Sequence, residues 1–484
     1  MFTYYFVEGL KGEARNRRNT DGAITAEDAF RSAEAKTEDY CYKNDLHMRP
    51  YLYSGWKSPD PFPLVVVPET PAAGQTAEEN EDSETNDVAE YSGDGTVLIH
   101  CPKGVESFTI PSSVTKIGDN AFWYCRSLAD ISIPSSVTEI GESAFQGCSS
   151  LKSIKIPSSV TEIGWGAFSG CTSLENIEVD SGNRAYCSID GILCSKDKKV
   201  LHSCPGKRTS LEIPSSVTEI DHRAFEGCSS LESVTIPSSV TEIGYKAFSG
   251  CTSLENIEVD SGNRAYCSID GILCSKDKKV LHSCPGKRTS LEIPSSVTEI
   301  DHRAFEGCSS LSSVTIPSSV TEIGNGAFED CSSLSSVTIP SSVTEIGGTA
   351  FDGCSSLSSI EVASDNTKYS SIEGVLCSKD RKVLIRCPGG RTSLDIPSSV
   401  TEIWAGAFSD CRLLSSVTIP SSVTEIGCQV FYGCGSLTSV TIPSSVTKIE
   451  EEAFSGCGSL TITAKSGSYA WTYAKENDIP VREP

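Results

Sequence analysis

The sequence is short of positive charge and of aromatic residues. Its 484 residues include 40 lysines and arginines against 64 aspartates and glutamates, a formal net charge of −24, and aromatic residues make up only 7%. Such an acidic chain repels phosphate backbones and anionic headgroups, which argues against nucleic acid or an anionic membrane as partner. It also has no run of about 18 apolar residues, so no membrane-spanning helix is predicted.

Recognisable catalytic patterns are lacking too. The six histidines accompany no Gly-x-Ser-x-Gly elbow, no phosphate-binding loop and no paired catalytic carboxylates. Thiols and an imidazole with zinc-ligand chemistry do fall within 18 residues, at Cys187, Cys194, His202 and Cys204. A later copy of this segment has Ser370 for the first of them and isoleucine for the histidine. We therefore predict no metal, no cofactor and no catalytic residue.

What the chain has in abundance is one repeated segment, IPSSVTEIGESAFQGCSSLKSIK at residues 133–155. The phenylalanines of its Ala-Phe pairs, or of Val-Phe in one copy, are 23 residues apart except for three steps of 57. They are Phe122, Phe145, Phe168, Phe225, Phe248, Phe305, Phe328, Phe351, Phe408, Phe431 and Phe454. A fixed period of this size predicts a solenoid, in which each coil buries its apolar side only against its neighbours. We expect one continuous apolar core along the array.

A single copy predicts its own local structure. Val234 and Ile236 alternate with polar residues, which is typical of a short strand with one buried face. Pro237 removes a backbone donor and ends that strand. Val240 and Ile243 predict a second short extended piece, and the Ala-Phe pair that follows predicts a single helical turn.

The pattern L-x-x-V-x-I-P-x-x-V-T-x-I-G-x-x-A-F-x-x-C resembles the leucine-rich repeat of the BspA-like type over about three quarters of the chain. The resemblance implies an α/β repeat solenoid, a horseshoe of short parallel strands with single helical turns. It also implies a cell-surface or secreted protein of a family associated with adhesion and protein binding.

Three insertions of 34 residues, near 177–212, 257–292 and 360–395, account for the longer steps. Their segment SIDGILCSKDKKVLHSC contains two strand-like runs around a Lys-Asp-Lys turn, so each predicts a larger coil that carries a hairpin. Residues 167–231 recur without change as residues 247–311, which points to a tandem duplication.

The sequence divides into four regions. Residues 1–68, with a D-G-x-I-T turn, an E-A-F helix and an F-P-L tail, resemble the C-terminal part of legumain-like and caspase-like cysteine peptidases. The catalytic His and Cys of that family would lie upstream of Met1, so no catalytic residue is carried over. Residues 69–91 predict an acidic disordered linker, residues 92–465 the solenoid, and residues 466–484 a capping helix and tail. A missing N-terminal segment is an open alternative.

Three columns of side chains repeat along the array. Eleven cysteines occupy one position, where we interpret them as small buried side chains because parallel Cβ vectors suit a disulfide poorly. A column of glutamates on the second strand ends in Lys116 and Lys448, and we interpret it as a solvated face, with a cation or basic protein as the alternative.

The third column, on the first strand, is our candidate ligand surface. Its hydroxyls could form hydrogen bonds with a protein or glycan. The alternative is that Ser and Thr occur here for strand propensity and cross-strand hydrogen bonds. The candidate residues are Ser233, Thr235, Ser313, Thr315, Ser336, Thr338, Ser416, Thr418, Ser439 and Thr441.

The leading hypothesis is a monomeric, non-catalytic adhesion scaffold that presents these repeats to a protein, matrix or glycan ligand. The alternatives are the C-terminal part of a legumain-like peptidase with the repeats as a targeting or docking tail, and a passive surface stalk.

Overall fold

The computed structural model describes residues 88–450 and 452–484, so the peptidase resemblance of residues 1–68 and all but the end of the linker lie outside the described residues. The described part is a solenoid whose coils each carry two short strands. The first strands of the coils each have one face toward the core and the other toward solvent, as the period-two pattern predicts. They are Ser107–Thr109, Asp130–Ser132, Ser153–Ile156, Asn176–Val179, Ser210–Glu212, Ser233–Ile236, Asn256–Val259, Ser290–Glu292, Ser313–Thr315, Ser336–Ile339, Ser359–Val362, Ser393–Asp395, Ser416–Thr418, Ser439–Thr441 and Thr461–Thr463.

The second strands are two residues long and follow the Pro-Ser-Ser turn of each coil. They pair in parallel, glutamate beside glutamate and isoleucine beside isoleucine, as at Glu219 and Glu242. They are Lys116–Ile117, Glu139–Ile140, Glu162–Ile163, Glu219–Ile220, Glu242–Ile243, Glu299–Ile300, Glu322–Ile323, Glu345–Ile346, Glu402–Ile403, Glu425–Ile426 and Lys448–Ile449.

The segment around each Ala-Phe pair, here called the turn side, differs from the prediction of a helical turn. It consists of two reverse turns, each with a left-handed residue, such as Asn120 at φ 57° and Tyr124 at φ 51°. The N–H groups of Asn120, Phe122 and Tyr124 donate to carbonyls of the next coil at 2.7–3.0 Å. A helical turn would direct those groups along its own axis, so the inter-coil hydrogen bonds favour the reverse turns.

The insertions form the predicted hairpins around the Lys-Asp-Lys turn, and each adds one antiparallel strand before the hairpin that the sequence did not predict. In the first insertion, Cys187 of this added strand pairs with Cys194 of the hairpin, and the last hairpin strand pairs in parallel with the next coil. The insertion strands are Tyr186–Ile189, Ile192–Ser195 and Val200–Ser203, then Tyr266–Ile269, Ile272–Ser275 and Val280–Ser283, then Tyr369–Ile372, Val375–Ser378 and Val383–Arg386.

The expectation of one continuous core is wrong for the described residues, which form four hydrophobic clusters with boundaries at the three insertions. In the first insertion Leu193 packs into the cluster before it, whereas Ile192 and Cys194 belong to the cluster after it. Because successive side chains of a strand point to opposite faces, the middle insertion strand separates two cores and is buried on both sides.

The described residues begin and end with capping elements. At one end Glu90–Tyr91 forms an antiparallel pair with Val97–His100. At the other, the helix Tyr469–Glu476 buries Ala470 and Ala474, and the strand Val481–Arg482 pairs with Thr461–Thr463. Ser468 caps that helix by accepting from the Trp471 N–H.

Candidate binding surface

All ten candidate hydroxyl residues lie on first strands, and their side chains form what we call the strand face. Five of them are exposed and five are half-buried; the exposed five are Ser313, Thr315, Ser336, Thr338 and Thr418. Parallel pairing places Ser416 beside Ser439 and Thr418 beside Thr441. The structure thus brings the candidates together in short runs within the segments between insertions.

Sequence reasoning missed the acids that share these columns. Thr235 lies between Glu212 and Glu258, Thr315 lies beside Glu292, and Thr338 beside Glu361. All of these acids are exposed. The signal was present in the strands that flank each insertion. They carry Glu or Asp at the position where most other coils carry Thr, with Ser132 and Lys155 as the exceptions. The strand face therefore alternates hydroxyl runs with carboxylates.

The strand face is interrupted at the first insertion. The first strands on either side, Asn176–Val179 and Ser210–Glu212, belong to different sheets. An ion pair of 2.5 Å between Lys207 Nζ and Glu175 Oε1 spans the break. A shallow recess lies here, lined by Glu175, Asn176, Lys207, Arg208, Thr209 and Ser210.

The glutamate column on the second strands is present as predicted, with lysines at its ends. Lys116 Nζ lies 2.6 Å from Glu139 Oε1, and Lys448 Nζ lies 3.9 Å from Glu425 Oε2. Burial raises the pKa of Glu219 and Glu299, and the neighbouring carboxylates of the column act in the same direction. At these two positions burial and the neighbouring acids therefore both disfavour the charged form of the glutamate.

The cysteines of residues 88–450 and 452–484 form no disulfide bonds. In the ladder, Cys148 Sγ donates to Phe122 O and Cys171 Sγ to Phe145 O, each at 3.1 Å, and other coils repeat the contact. Burial raises the pKa of Cys171 to about 12, which holds it as a neutral thiol. The column is thus a set of small buried hydrogen-bond donors, which agrees with the interpretation as packing side chains.

Three of the four residues with zinc-ligand chemistry are engaged in other polar contacts. Cys187 Sγ donates to Ser195 O at 3.2 Å, Cys204 Sγ lies 3.7 Å from Pro205 O, and His202 Nδ1 lies 2.7 Å from Asp221 Oδ2. Among the described residues no group of three or more His, Cys, Asp or Glu side chains is arranged to hold a metal ion. Over the same ranges no helix is long and apolar enough to cross a bilayer.

A row of aromatic side chains, also missed from the sequence, lies where the second strand meets the turn side. It follows one position of successive coils, the residue after the glycine or aspartate that ends the second strand: Trp165, His222, Tyr245 and His302. Trp165 is 49% exposed and its ring lies 4.7 Å from that of His222. We call this row the aromatic corner.

A family model described as the BspA type leucine rich repeat region matches residues 100–188, 197–268, 277–374 and 387–469, which is more than half of the chain. A comparison with curated proteins finds no match.

Several solved structures are similar to the chain. A leucine-rich repeat protein from Eubacterium ventriosum ATCC 27560 is 26% identical, with 75% of this chain and 91% of that chain covered and a TM-score of 0.44. A leucine rich cell surface protein from Faecalibacterium prausnitzii A2-165 is 29% identical, with coverages of 80% and 94% and a TM-score of 0.30. A leucine-rich repeat protein from Bacteroides ovatus ATCC 8483 is 25% identical, with coverages of 82% and 98% and a TM-score of 0.32.

Proposed function

The chain belongs to the BspA type leucine-rich repeat family, and from that premise we propose that it is a non-catalytic scaffold that binds a protein or matrix ligand. The ligand contacts the strand face. The proposed location is the cell surface or the extracellular space, which is what the family resemblance implies. The scaffold acts as a monomer and needs no cofactor.

The observation that supports the proposal is that the exposed hydroxyls of the strand face lie on strands with a fixed backbone. Between the second and third insertions, Ser313, Thr315, Ser336 and Thr338 are exposed on the strands of two consecutive coils. One of these strands pairs in parallel with Ser290–Glu292 and the other with Ser359–Val362, which fixes their backbones. A ligand that meets fixed donors and acceptors requires little side-chain ordering on the protein side, which lowers the entropic cost of association.

The test uses the full chain against immobilised fibronectin, laminin and collagen and against a glycan array. We expect saturable binding to at least one of these. The variant with Ser313→Ala, Thr315→Val, Ser336→Ala and Thr338→Val removes four hydroxyls and keeps strand propensity, and should weaken that binding about tenfold, or ~1.4 kcal/mol. The control is Ser318→Ala with Ser333→Ala, two exposed serines outside the strands.

Two results would contradict the proposal. Absence of saturable binding to every probe would favour a passive stalk, and equal loss in the variant and the control would remove the strand face from the interface. Antibody labelling of intact cells tests the proposed location separately.

A further inference from the structure

The duplicated segment offers an internal comparison, because residues 167–231 and 247–311 are identical while the two residues before them differ. The first copy follows Trp165 and Gly166, and the second follows Tyr245 and Lys246. Both aromatic residues belong to the aromatic corner. Because the copies are identical, any structural difference between them at the aromatic corner arises from the two preceding residues or from the coils outside the copies.

In the second copy the aromatic ring is covered by the chain's own cations. Arg303 Cζ lies 5.6 Å and Lys246 Nζ 5.8 Å from the centroid of the Tyr245 ring. Both cations also contact Glu306 Oε1, at 2.9 and 2.8 Å. A cation over an aromatic face is attracted by the electron-rich ring, and a nearby carboxylate strengthens the attraction. The second copy is thus a complete cation–aromatic–carboxylate cluster.

In the first copy the corresponding arginine lies elsewhere. Gly166 brings no ammonium group, and a Cβ at that position would lie 2.9 Å from Cδ of Arg223, so the arginine lies across the glycine. Its Nη1 donates to Ser143 Oγ at 3.1 Å and lies 3.7 Å from Glu142. The guanidinium is therefore held toward earlier coils, and the Trp165 ring is left half exposed.

Glu226, the counterpart of Glu306, is paired less closely than Glu306 is. Arg223 Nε lies 3.8 Å from Glu226, against two cations within 3 Å of Glu306, and Lys246 also attracts Glu226 from the following coil. Glu162, three residues before the tryptophan, is exposed at the edge of the glutamate column. The Trp165 site, defined by Trp165 and Glu162, combines an accessible indole with an exposed carboxylate three residues away in the sequence.

We propose that the Trp165 site binds a lysine or arginine side chain of a partner protein, in the way that Lys246 and Arg303 occupy the corresponding place at Tyr245. The inference rests on the proposed function as a protein-binding scaffold and adds a place and a chemistry to it. A partner segment rich in basic residues also complements the net charge of −24.

The test measures binding of a fluorescent octapeptide of alternating serine and arginine to the full chain by anisotropy at low salt. The reference probe is the same peptide with citrulline in place of arginine, which keeps the shape of the side chain and removes its charge. We expect the arginine peptide to bind at least tenfold more tightly than the citrulline peptide, and added salt to weaken it.

Two variants of the site and one control locate the binding. Gly166→Lys supplies an internal cation, and the backbone accepts it, since Lys246 has φ 54° where Gly166 has φ 61°. We expect Gly166→Lys and Trp165→Ala each to weaken arginine-peptide binding about tenfold, while Trp404→Ala, which removes another exposed tryptophan (41%), leaves it unchanged. Circular dichroism confirms that each variant is folded.

The inference is overturned if the citrulline peptide binds equally well, or if Gly166→Lys, as a folded protein, binds the arginine peptide as the parent chain does. Saturable binding to a matrix protein without any binding of the arginine peptide would also overturn it, while the proposed function would stand. Failure of every probe, matrix proteins and peptides together, would remove both.

Discussion

The 23-residue coils, here called plain coils, and the coils formed by the three insertions, here called insertion coils, pack against their neighbours in different ways. Plain coils stack their phenylalanines within each segment, at centroid distances of 4.7–5.6 Å. Insertion coils contribute no such ring and place a strand with two buried faces between neighbouring cores. The plain coils therefore form the hydrophobic cores, and the insertions divide the array into units. We expect these units to be able to unfold separately.

The division does not extend to the turn side. Across the first insertion Gly170 N donates to Glu226 O at 3.0 Å, so coils separated by 57 residues are neighbours there. Gly227 makes this approach possible, since a Cβ on it would lie 2.7 Å from the Cα of Gly170, and its φ of 69° suits glycine. The first insertion thus adds residues on the strand side while the turn sides of the flanking coils stay in contact.

The largest effect we expect comes from removing a ring in the middle of a stack. Phe328 is fully buried between Phe305 at 4.7 Å and Phe351 at 5.5 Å. Phe328→Ala should lower the free energy of unfolding of its segment by about 3–5 kcal/mol. Phe168 lies at an insertion boundary and stacks on one ring, that of Phe145, instead of two. Phe168→Ala should therefore lower the free energy of unfolding by about 0.5–1.5 kcal/mol less than Phe328→Ala does.

Urea unfolding combined with hydrogen exchange checks this pair, because exchange reports each segment separately. Equal costs for the two variants would mean that stacking within a segment adds nothing beyond burial of the ring. Loss of protection over the entire array in Phe328→Ala would mean that the four cores do not behave as separate units.

A smaller effect should follow from releasing an insertion from the coil before it. Asn263 is 1% exposed; its Nδ2 donates to Pro237 O and Val240 O at 2.9 Å, and its Oδ1 accepts from two backbone N–H groups at 2.8 and 2.9 Å. Asn183 and Asn366 make the same contacts in the other insertions. Asn263→Ala leaves buried backbone groups unpaired and should cost roughly 2–4 kcal/mol.

Exposed Asn256 is the matched control, and Asn256→Ala should change stability by less than about 0.5 kcal/mol. Hydrogen exchange should show the loss of protection in Asn263→Ala concentrated in the hairpin strands Tyr266–Ile269 and Ile272–Ser275. If the two variants unfold alike, the asparagine does not anchor the insertion.

The comparison also explains which features the sequence made predictable. Period-two alternation was enough to find the strands, the ten candidate positions on them and the hairpins, because those signals lie within one coil. The division of the core depends on which of the two neighbouring coils the side chain of Leu193 packs against. The aromatic corner depends on the contact between Trp165 and His222, which are 57 residues apart. Both require the register between distant coils, which no local pattern encodes.

The turn side should also show a dependence of stability on pH. Burial raises the pKa of Asp330 to about 6 from 3.8, and carboxylates including Glu329 and, from beyond the third insertion, Asp410 act in the same direction. As the pH falls through 6, the folded chain takes up a proton that the unfolded chain does not, so folding is stabilised between about pH 7 and pH 4. The slope from this group is at most about 1.4 kcal/mol per pH unit.

Asp330→Asn removes the buried charge and should therefore be more stable than the parent chain at pH 7.5, with the difference vanishing toward pH 4. Asp395→Asn changes the net charge equally at an exposed position on the strand face and serves as the control. Urea unfolding at half-unit steps of pH measures all three proteins. If Asp330→Asn and Asp395→Asn follow the same pH curve, the charge of Asp330 does not destabilise the folded chain and the explanation from burial and neighbouring carboxylates is wrong.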